Sequence, residues 1–481
     1  MIQQHTSTAT SLGSDRAMFV VISFEGPDLY SQAGGLGVRV SGLVRTLADL
    51  GYETHLFFIG DPTLPGEEAT RAGRLILHRW AQWISMNCPG GVYDGEAGKV
   101  ADVTSSLPHY LVDRILAPAI AAGRIPILLF EEWQTAACAC RVAGALAAKG
   151  LRDHAVLLWN ANNPYGFERI DWLGLASAAT ITTISRHMRS IIRSCGVDAR
   201  VIPNGIPEAS FEPVSRADVA HLRAAFKPSA RSGFLFKMAR WEREKGWTQA
   251  LEAIAYARAR EAAQPSDQGH APVLIARSGG PTGPGAGLAE DAASRGLRVV
   301  SFDTPGAFAA GLGESIRAAT DVVSLRFGVS ARLARTLYAA ADGVLANSVS
   351  EPFGLVGLET MAAGGIAFTG GTGEDYAVGG RNAVVLDTLD PAEIVAKWRE
   401  LALSPSLAGR LRRAARRTAR QYEWRTIVNV LIDALSHQAR RQGLLRPEQP
   451  VTRPRVALRQ SSTARDANQH DARARPERIA V

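Results

Sequence analysis

Cysteine is scarce in this sequence, and the few cysteines present lack the spacing of a structural site. Four occur among 481 residues, at positions 88, 138, 140 and 195. None belongs to a Cys-x-x-Cys pair or to a set with zinc-ligand spacing. Because disulfide frameworks belong to oxidising compartments, these thiols favour a reduced, cytoplasmic protein.

Long apolar runs are also missing. No stretch reaches the roughly 20 apolar residues that a membrane helix needs, and the N-terminus lacks the charged and then apolar pattern of a secretory signal. We therefore expect no integral membrane segment. Residues 1–16 are predicted to form a disordered leader.

Positive charge is concentrated at one end of the chain. The formal net charge is +8, yet residues 440–481 hold ten arginines against four acidic residues, so the remainder is close to neutral. This terminal stretch lacks aromatic residues and sustained periodicity, and we expect residues 441–481 to be a disordered, solvated basic tail. Nucleic acid is therefore not predicted as a partner.

Length and pattern indicate two globular domains. A chain of 481 residues is too long for one ordinary core. Short buried-strand segments alternate with amphipathic stretches between Met18 and Ile184, and again between Phe234 and Thr369. Such alternation predicts two doubly wound α/β domains, at 17–210 and 211–420. Residues 71–110 interrupt the pattern and are predicted to be an inserted excursion.

The most informative segment runs from Glu351 to Glu359 and reads EPFGLVGLE. The loop pattern before it predicts that a helix begins here, so that amides near Phe353, Gly354 and Leu355 point outward at its positive end and could bind an anion. Glu359 would lie roughly 8 Å further along, within reach of a ribose attached to a bound phosphate. Glu351 could contact a second hydroxyl-rich group, although acidic residues near a helix start are also favourable without a ligand.

Each half carries a further motif after its first strand. Residues 32–37 are glycine-rich, and the backbone at Gly34 and Gly35 could approach a ligand there. This loop differs from the dinucleotide fingerprint, and a tight structural turn explains it equally well. Arg240 and Lys245 are suited to clamping a diphosphate, or they belong to a salt-bridged surface loop.

The sequence contains no Asp-x-Asp, the carboxylate pair that often holds a divalent ion on a nucleotide sugar. We therefore predict no metal site, and negative charge on a leaving group would have to be met by cations and helix ends. Because ligands of doubly wound sheets bind beyond the carboxyl ends of the strands, two such domains predict a cleft with a two-part ligand.

Taken in order, these motifs resemble the retaining glycosyltransferases of the glycogen/starch synthase-like superfamily (glycosyl transferases group 1). The resemblance covers about residues 18–438, is strongest in the second half, and rests on Gly34–Gly37, Pro203–Ile206, Arg240 with Lys245, residues 351–359 and Thr369–Gly371. It implies a GT-B fold of two facing Rossmann-like domains, with the acceptor on the N-terminal one and a nucleoside-diphosphate sugar on the C-terminal one. A helix at 421–440 would cross back onto the N-terminal domain.

The resemblance also implies roles for individual residues. Arg240 and Lys245 would bind the diphosphate and Glu351 the transferred sugar, so these three are the predicted catalytic residues. The nucleotide sugar would be a donor substrate, with no separate cofactor. Its remaining contacts would be Gly34, Gly35, Phe353, Gly354, Leu355, the ribose-binding Glu359, Gly370 and Gly371.

Two places depart from the family pattern. Many relatives have a His just after the strand that here ends near Trp159, whereas this chain has Asn160, which cannot exchange a proton. Glu132 and Trp133 stand where relatives have a His-Asp-Trp-type segment. We assign these two, with Asn160 and Asn162, to the sugar or acceptor side, although Glu132 and Trp133 are equally well explained as a strand end and a core residue.

The sequence thus predicts a cytoplasmic, metal-independent transferase that moves a hexose, with glucose favoured, from a nucleoside-diphosphate sugar to a saccharide-like hydroxyl acceptor with retention. Two alternatives stay open. One is an inactive sugar-nucleotide-binding regulator, which is favoured by Asn160 in place of the His of many relatives. The other is a sugar-nucleotide epimerase or hydrolase on the same fold. Base selection is assigned to the loops near 278–280 and 326–328, without identifying the base.

Overall fold

A computed structural model describes residues 12–226, 233–263, 271–279, 287–312 and 320–445. Its strands are β1 (Ala17–Ile22), β2 (Glu53–Ile59), β3 (Glu67–Thr70), β4 (Leu75–Trp80), β5 (Ile125–Glu131), β6 (Val156–Ala161), β7 (Thr180–Thr183), β8 (Arg200–Val201), β9 (Phe234–Arg240), β10 (Val273–Gly279), β11 (Val299–Phe302), β12 (Val322–Leu325), β13 (Gly343–Ala346), β14 (Ala367–Thr369) and β15 (Val384–Val385).

The α-helices are α1 (Gly35–Asp49), α2 (Gln82–Ser85), α3 (Glu96–Tyr110), α4 (Ala117–Ala121), α5 (Ala136–Ala148), α6 (Trp172–Ala178), α7 (Arg186–Ser194), α8 (Arg216–Phe226), α9 (Trp247–Ala263), α10 (Leu288–Ser294), α11 (Pro305–Gly311), α12 (Ala331–Ala340), α13 (Leu355–Ala362), α14 (Pro391–Leu403), α15 (Pro405–Arg420) and α16 (Trp424–Arg441). A π-helical turn spans Leu111–Leu116. Short 3₁₀ turns lie at Leu29–Ser31, Trp133–Thr135, Arg152–His154, Phe167–Arg169, Glu208–Phe211 and Arg243–Lys245.

The first sheet has eight strands in the order β3-β4-β2-β1-β5-β6-β7-β8. All neighbouring pairs are parallel except β3 with β4. Side chains of β1 alternate between two cores: Phe19 and Val21 pack with α1 and α16, and Val20 and Ile22 with α3 and α5. Burial on both faces explains why this strand is a continuous apolar run.

The stretch at 71–110, predicted as an excursion, contributes a strand to this sheet. β4 pairs in parallel with β2, from Thr54 opposite Leu75 to Ile59 opposite Trp80. Two polar residues of β4, His78 and Arg79, obscured the buried-strand pattern. Each has a partner inside the domain: His78 stacks on Phe57, and Arg79 forms an ion pair with Asp28 at 2.8 Å.

The second sheet has seven parallel strands in the order β11-β12-β10-β9-β13-β14-β15. β8 ends at Val201 and β9 begins at Phe234, so the division placed at 210/211 falls within this connection. Both predicted doubly wound sheets are thus present.

The last described helix returns to the N-terminal domain. Trp424, at the start of α16, lies against two glycines: a Cβ would come within 2.2 Å of its ring at Gly42 and within 2.4 Å at Gly205. Further along, Ile427 and Leu431 join the core that contains α1. Among the described helices, none is both long enough and apolar enough to cross a membrane.

Both predicted disordered ends lie largely outside the described residues. Positions 1–11 of the leader and 446–481 of the tail are not described. At the described edges of these segments, Leu12 and Leu445 are buried in the core that contains α1.

Candidate functional site

A cleft of about 490 Å³ lies between the two sheets, at the carboxyl ends of their strands. Its first wall is formed by the glycine loop before α1 and by the segment after β6. The second wall comprises the end of β9, Lys245 and residues around Glu351. These elements converge because parallel strands of a doubly wound sheet all end at the same edge.

The predicted helix start forms part of this cleft. α13 begins at Leu355, and Gly354 precedes it with φ +80°, a left-handed conformation that suits glycine. A Cβ on Gly354 would lie 2.8 Å from Cγ of Glu374 and 3.0 Å from the Tyr376 hydroxyl. Phe353, Gly354 and Leu355 all line the cleft. Since the first amides of a helix have no partner within it, this end presents donors and partial positive charge.

The two predicted diphosphate-binding cations lie in the cleft and are paired with carboxylates. Lys245 Nζ lies 2.9 Å from Glu351 Oε2, and both side chains are about four-fifths buried. Arg240 Nη1 lies 2.9 Å from Glu242 Oε1 in a largely exposed pair. Exposed pairs contribute little, so Arg240 is available to an incoming anion at small cost.

Glu351 is held from several directions. Its carboxylate also accepts a hydrogen bond from the Ser348 hydroxyl at 2.9 Å, and its amide donates to Thr372 Oγ1 at 2.9 Å. Glu351 thus lies beside Lys245 and lines the cleft, and its assignment to the transferred sugar stays a prediction.

A third cation, Lys237, was not predicted. It lies within β9, is almost fully buried, and lines the floor of the cleft. Its Nζ donates to Asn347 Oδ1 at 2.6 Å and to the Leu345 carbonyl at 3.2 Å. Burial lowers the pKa of Lys237 to about 7, and the nearby charge of Lys245 acts in the same direction. A lone lysine inside the apolar strand FLFKMAR was the sequence signal that could have revealed it.

Glu359 lies deeper in α13 and does not line the cleft. The residue is partly buried, and the Tyr338 hydroxyl donates a hydrogen bond to its carboxyl group at 3.3 Å. Burial raises the pKa of Glu359 to about 7. Its assignment to ribose hydroxyls stays a prediction.

Gly370 and Gly371 are not brought into this cleft. They line a neighbouring pocket together with Arg186 and Asp375. A Cβ on Gly370 would lie 2.6 Å from the Ser348 carbonyl oxygen, so this glycine allows the β14 loop to pack behind the loop that carries Glu351. Gly370 therefore supports the cleft from outside, whereas a Cβ on Gly371 would meet nothing within 4 Å.

The glycine loop does line the cleft, but an internal carboxylate occupies several of its amides. Glu25 Oε2 accepts hydrogen bonds from the amides of Ala33 at 3.2 Å, Gly34 at 3.0 Å and Gly37 at 2.9 Å. The hydroxyl of Tyr93 donates to the other oxygen of Glu25 at 2.7 Å. Burial and this carboxylate together raise the pKa of Tyr93. Glu25 follows β1 closely, and the sequence pattern did not single it out.

Asn160 and Asn162 have different positions. Asn160 is buried below the cleft, where its Nδ2 donates to Glu131 Oε2 at 2.9 Å and its Oδ1 accepts from the Thr182 hydroxyl at 3.0 Å. Asn162 lines the cleft, and its Nδ2 also donates to Glu131, at 2.8 Å. Arg39 completes the network through an ion pair with Glu131 at 3.2 Å.

Glu132 and Trp133 lie behind the segment that follows β6 and begins at Asn162. Glu132 has φ +69° and ψ 168°, a strained conformation for a residue with a side chain. Its carboxyl group accepts a hydrogen bond from the backbone amide of Asn162 at 2.6 Å. Burial raises the pKa of Glu132 to about 8, with the neighbouring Glu131 contributing. Trp133 packs beneath the Arg169 guanidinium, 4.5 Å from its ring centre. Neither residue lines the cleft itself.

The remaining predictions concern the base and a metal. Gly280, in one proposed base-selecting loop, lies outside the described residues, and Arg326 in the other forms an ion pair with Asp303 at 2.7 Å. Within the described part of the chain, no group of three or more His, Cys, Asp or Glu side chains is arranged to hold a metal ion. Metal independence stays a prediction.

No protein-family model matches the chain, and no curated protein matches it at a significant level. Solved structures do match along most of its length. Sucrose-phosphate synthase from Thermosynechococcus elongatus is 16% identical with a TM-score of 0.56, covering 88% of this chain and 99% of its own.

Two further structures match to a similar extent. The UDP-forming α,α-trehalose-phosphate synthase from Burkholderia xenovorans is 12% identical with a TM-score of 0.55, covering 87% of this chain and 98% of its own. Anabaena HepE in complex with UDP and glucose is 15% identical with a TM-score of 0.53, covering 87% of this chain and 100% of its own.

Identities this low establish the fold and no more. They confirm, at the level of fold, the resemblance that the motifs indicated. The two sheets, the cleft between them and the returning helix α16 all belong to one architecture. The chain therefore has the GT-B fold of these glycosyltransferases, with two facing Rossmann-like domains.

Proposed function

We propose that this chain is a glycosyltransferase that moves a hexose from a nucleoside-diphosphate sugar to a hydroxyl acceptor, with retention at the anomeric carbon and without a divalent metal. One observation carries the proposal. Arg240, Lys245, Glu351 and the start of α13 converge in one cleft, opposite the glycine loop of the other domain. Such a cleft matches a donor with a charged diphosphate and a hydroxyl-rich sugar.

The proposed chemistry follows from where charge develops. The bond between the anomeric carbon and the diphosphate oxygen breaks, and negative charge grows on the leaving phosphate. Arg240, Lys245 and the α13 amides meet that charge, which favours the transition state over the bound substrate. The acceptor oxygen bonds to the anomeric carbon, and its proton passes to the departing phosphate. No side-chain base is needed, which is compatible with the buried position of Asn160.

The ion pair of Lys245 suggests how the donor engages. A diphosphate would compete with Glu351 for Lys245, now 2.9 Å away. The released Glu351 carboxylate could then accept hydrogen bonds from hydroxyls of the transferred sugar. Solved structures that match this chain support a glucosyl donor as the first candidate, since HepE is in complex with UDP and glucose and a trehalose-6-phosphate structure from E. coli is bound with UDP-2-fluoro glucose. Glu359 is proposed to contact the ribose, and a cytoplasmic location remains our expectation.

Donor binding provides the first test. Purified protein is heated with UDP-, ADP- or GDP-glucose, and the shift of its unfolding temperature is measured. A donor at about 100 times its Kd should add about 2.7 kcal/mol of stability. Glucose alone and the nucleoside monophosphates are controls. If no nucleotide sugar stabilises the protein, the proposal is wrong.

Product analysis separates the candidates. Nucleoside diphosphate release that requires an added acceptor supports transfer. Release without an acceptor would indicate a hydrolase, and conversion of the donor into another nucleotide sugar would indicate an epimerase. The anomeric configuration of the glycoside product, read by NMR, tests retention.

An inactive nucleotide-sugar-binding protein is the second candidate, and one observation favours it. The position where many relatives carry a proton-exchanging His is Asn160, whose amide is tied to Glu131 and Thr182 below the cleft. Donor binding without release of nucleoside diphosphate, across a broad acceptor panel, would support this candidate against transfer.

A further inference from the structure

Positive charge in the cleft is confined to one wall. The basic residues among its described lining are Lys237, Arg240 and Lys245, and all three belong to the C-terminal domain. The described lining residues of the N-terminal domain include no Lys, Arg or His. If the proposed function holds, this second wall is the one that receives the acceptor.

Two basic residues behind that wall, Arg39 and Lys99, are engaged elsewhere. Arg39 is buried and forms an ion pair with Glu131 at 3.2 Å. Lys99 is fully buried, and its Nζ donates to the Tyr30 hydroxyl at 2.7 Å and to the Gly91 carbonyl at 3.0 Å. Neither side chain lines the cleft. An anionic acceptor would therefore meet no partner of opposite charge among these residues.

The glycine loop, which would otherwise suit an anion, already holds one. Glu25 is almost fully buried and accepts hydrogen bonds from the amides of Ala33, Gly34 and Gly37 at 2.9–3.2 Å. A phosphate group could use these amides only by displacing a buried carboxylate from them. It would also approach the negative charge of Glu25, and like charges at close range in a partly buried site repel strongly.

The same wall offers an acceptor atom that has no partner. Asn162 Oδ1 is buried and receives no hydrogen bond. The orientation of the Asn162 side-chain amide is fixed by Glu131. A carboxylate only accepts hydrogen bonds, so Nδ2 of Asn162 must face Glu131, at 2.8 Å, and Oδ1 must point the other way. A buried acceptor without a donor is unfavourable, and a hydroxyl would satisfy it. The hydroxyl groups of a sugar can donate here and a fully ionised phosphate group cannot, so this atom favours a hydroxyl-rich acceptor, while the lack of cations on this wall is what disfavours a charged one.

An exposed aromatic ring completes this wall. Tyr165 lines the cleft beside Pro164, and 68% of its surface is exposed. Its ring provides a flat apolar face with a polar edge, which suits the apolar face of a sugar ring. The geometry points to an uncharged hydroxyl compound, a saccharide or glycoside, as the acceptor, in preference to a sugar phosphate.

Matched pairs of acceptors test this inference. The protein is saturated with UDP, or with whichever nucleoside diphosphate binds best. Binding of glucose against glucose 6-phosphate, and of fructose against fructose 6-phosphate, is then measured by saturation-transfer NMR. The neutral member of a pair should bind at least about tenfold more tightly, because the phosphate lacks a cation and meets Glu25.

A charge introduced into the wall provides the matched variant. Asn163 lines the cleft, and its Oδ1 accepts a hydrogen bond from the Tyr165 backbone amide at 2.9 Å. Asn163→Arg and Asn163→Gln both lose that bond, but only Arg adds a charge, so the preference for the neutral sugar should be about tenfold smaller in Asn163→Arg than in Asn163→Gln. Tighter binding of either phosphorylated member by the wild type, or binding of no sugar at all, would overturn the inference. Stabilisation by the nucleotide sugar, measured in the same samples, reports separately whether the proposed donor site stands.

Discussion

At the scale of single residues, carboxylates of the protein pair with the cations and loop amides that line the cleft. Glu351 neutralises Lys245, Glu242 neutralises Arg240, and Glu25 occupies the amides of the glycine loop. The first two pairs retain solvent contact and can exchange partners, whereas Glu25 is almost fully buried. The cations are thus positioned for a ligand, while the loop amides are largely saturated.

The first prediction concerns those cations. Arg240→Ala and Lys245→Ala should each lower kcat by about 10²- to 10³-fold, since each removes a charge aimed at the leaving phosphate. The measurement is acceptor-dependent release of nucleoside diphosphate at saturating donor. Arg243→Ala is the matched control, because Arg243 is exposed in the same loop and does not line the cleft. Wild-type rates in both cation variants would contradict the proposed function.

A second prediction concerns pH. The pKa of Glu132 is raised from 4.5 to about 8 in the folded protein. Its neutral form therefore contributes stability that is complete below about pH 4.5 and is lost as the pH rises through about 8. Replacing Glu132 with Gln removes this ionisation. We expect the difference in Tm between Glu132→Gln and wild type to shift in favour of the variant by about 2–4 °C between pH 5 and pH 9.

The control for this pH experiment is Glu168→Gln, because the Glu168 side chain is 72% exposed. Its Tm should follow that of the wild type at every pH. A Glu132→Gln variant whose Tm also runs parallel to the wild type would show that Glu132 ionises in the folded protein as it does in the unfolded one.

At the scale of elements, one helix start is central to the proposed donor site. α13 begins directly after Gly354, whose positive φ and close neighbours Glu374 and Tyr376 leave no room for a Cβ. The Tyr376 hydroxyl also donates to the Gly354 carbonyl oxygen. The position and the direction of the first amides of α13 therefore depend on Gly354.

Gly354→Ala should accordingly destabilise the protein by about 1–3 kcal/mol and weaken its stabilisation by nucleotide sugar. Thermal unfolding with and without donor measures both effects. Gly144→Ala is the contrasting control: Gly144 is exposed within α5, a Cβ there meets nothing within 4 Å, and the change should stabilise by about 0.5–1 kcal/mol. Unaltered stability and donor binding in Gly354→Ala would exclude the assigned role of this turn.

At the scale of the whole molecule, α16, which follows the C-terminal domain, packs against the N-terminal domain. Trp424 lies against Gly42 and Gly205, and the Trp424 amide donates to the Ile206 carbonyl at 3.1 Å. The helix that follows the C-terminal domain is thus part of the N-terminal core. Stability of the N-terminal half should therefore depend on a residue more than 200 positions beyond its last strand.

Trp424→Ala should cost about 3–5 kcal/mol, because it leaves a cavity between α16 and α1. The measurement is the free energy of unfolding, obtained from denaturation curves recorded by intrinsic tryptophan fluorescence and by circular dichroism. Val430→Ala on the same helix is the control, since Val430 is 46% exposed and should change stability by less than about 0.5 kcal/mol. Equal effects of the two substitutions would show that the Trp424 contact is unimportant.

Features with a local cause were predictable from the sequence. Buried parallel strands are continuous apolar runs because both faces are covered, so β1, β9 and the alternation around them were recognised. The helix start near Leu355 and the cations at the end of β9 and just beyond it were likewise visible, since turn residues and charges act over a few positions. β4 was missed because its polar residues are paired with distant partners.

Contacts between distant segments were decided by the tertiary structure alone. Lys245 and Glu351 are separated by 106 positions, and no local pattern indicates that they meet. The same holds for Asn160 turning toward Glu131 and for Gly370 lying behind the Glu351 loop. Local propensity therefore determined which strands, helices and charged loops this chain contains, whereas close packing of remote segments decided which of their side chains face the cleft, because burial and hydrogen-bond satisfaction depend on every neighbour at once.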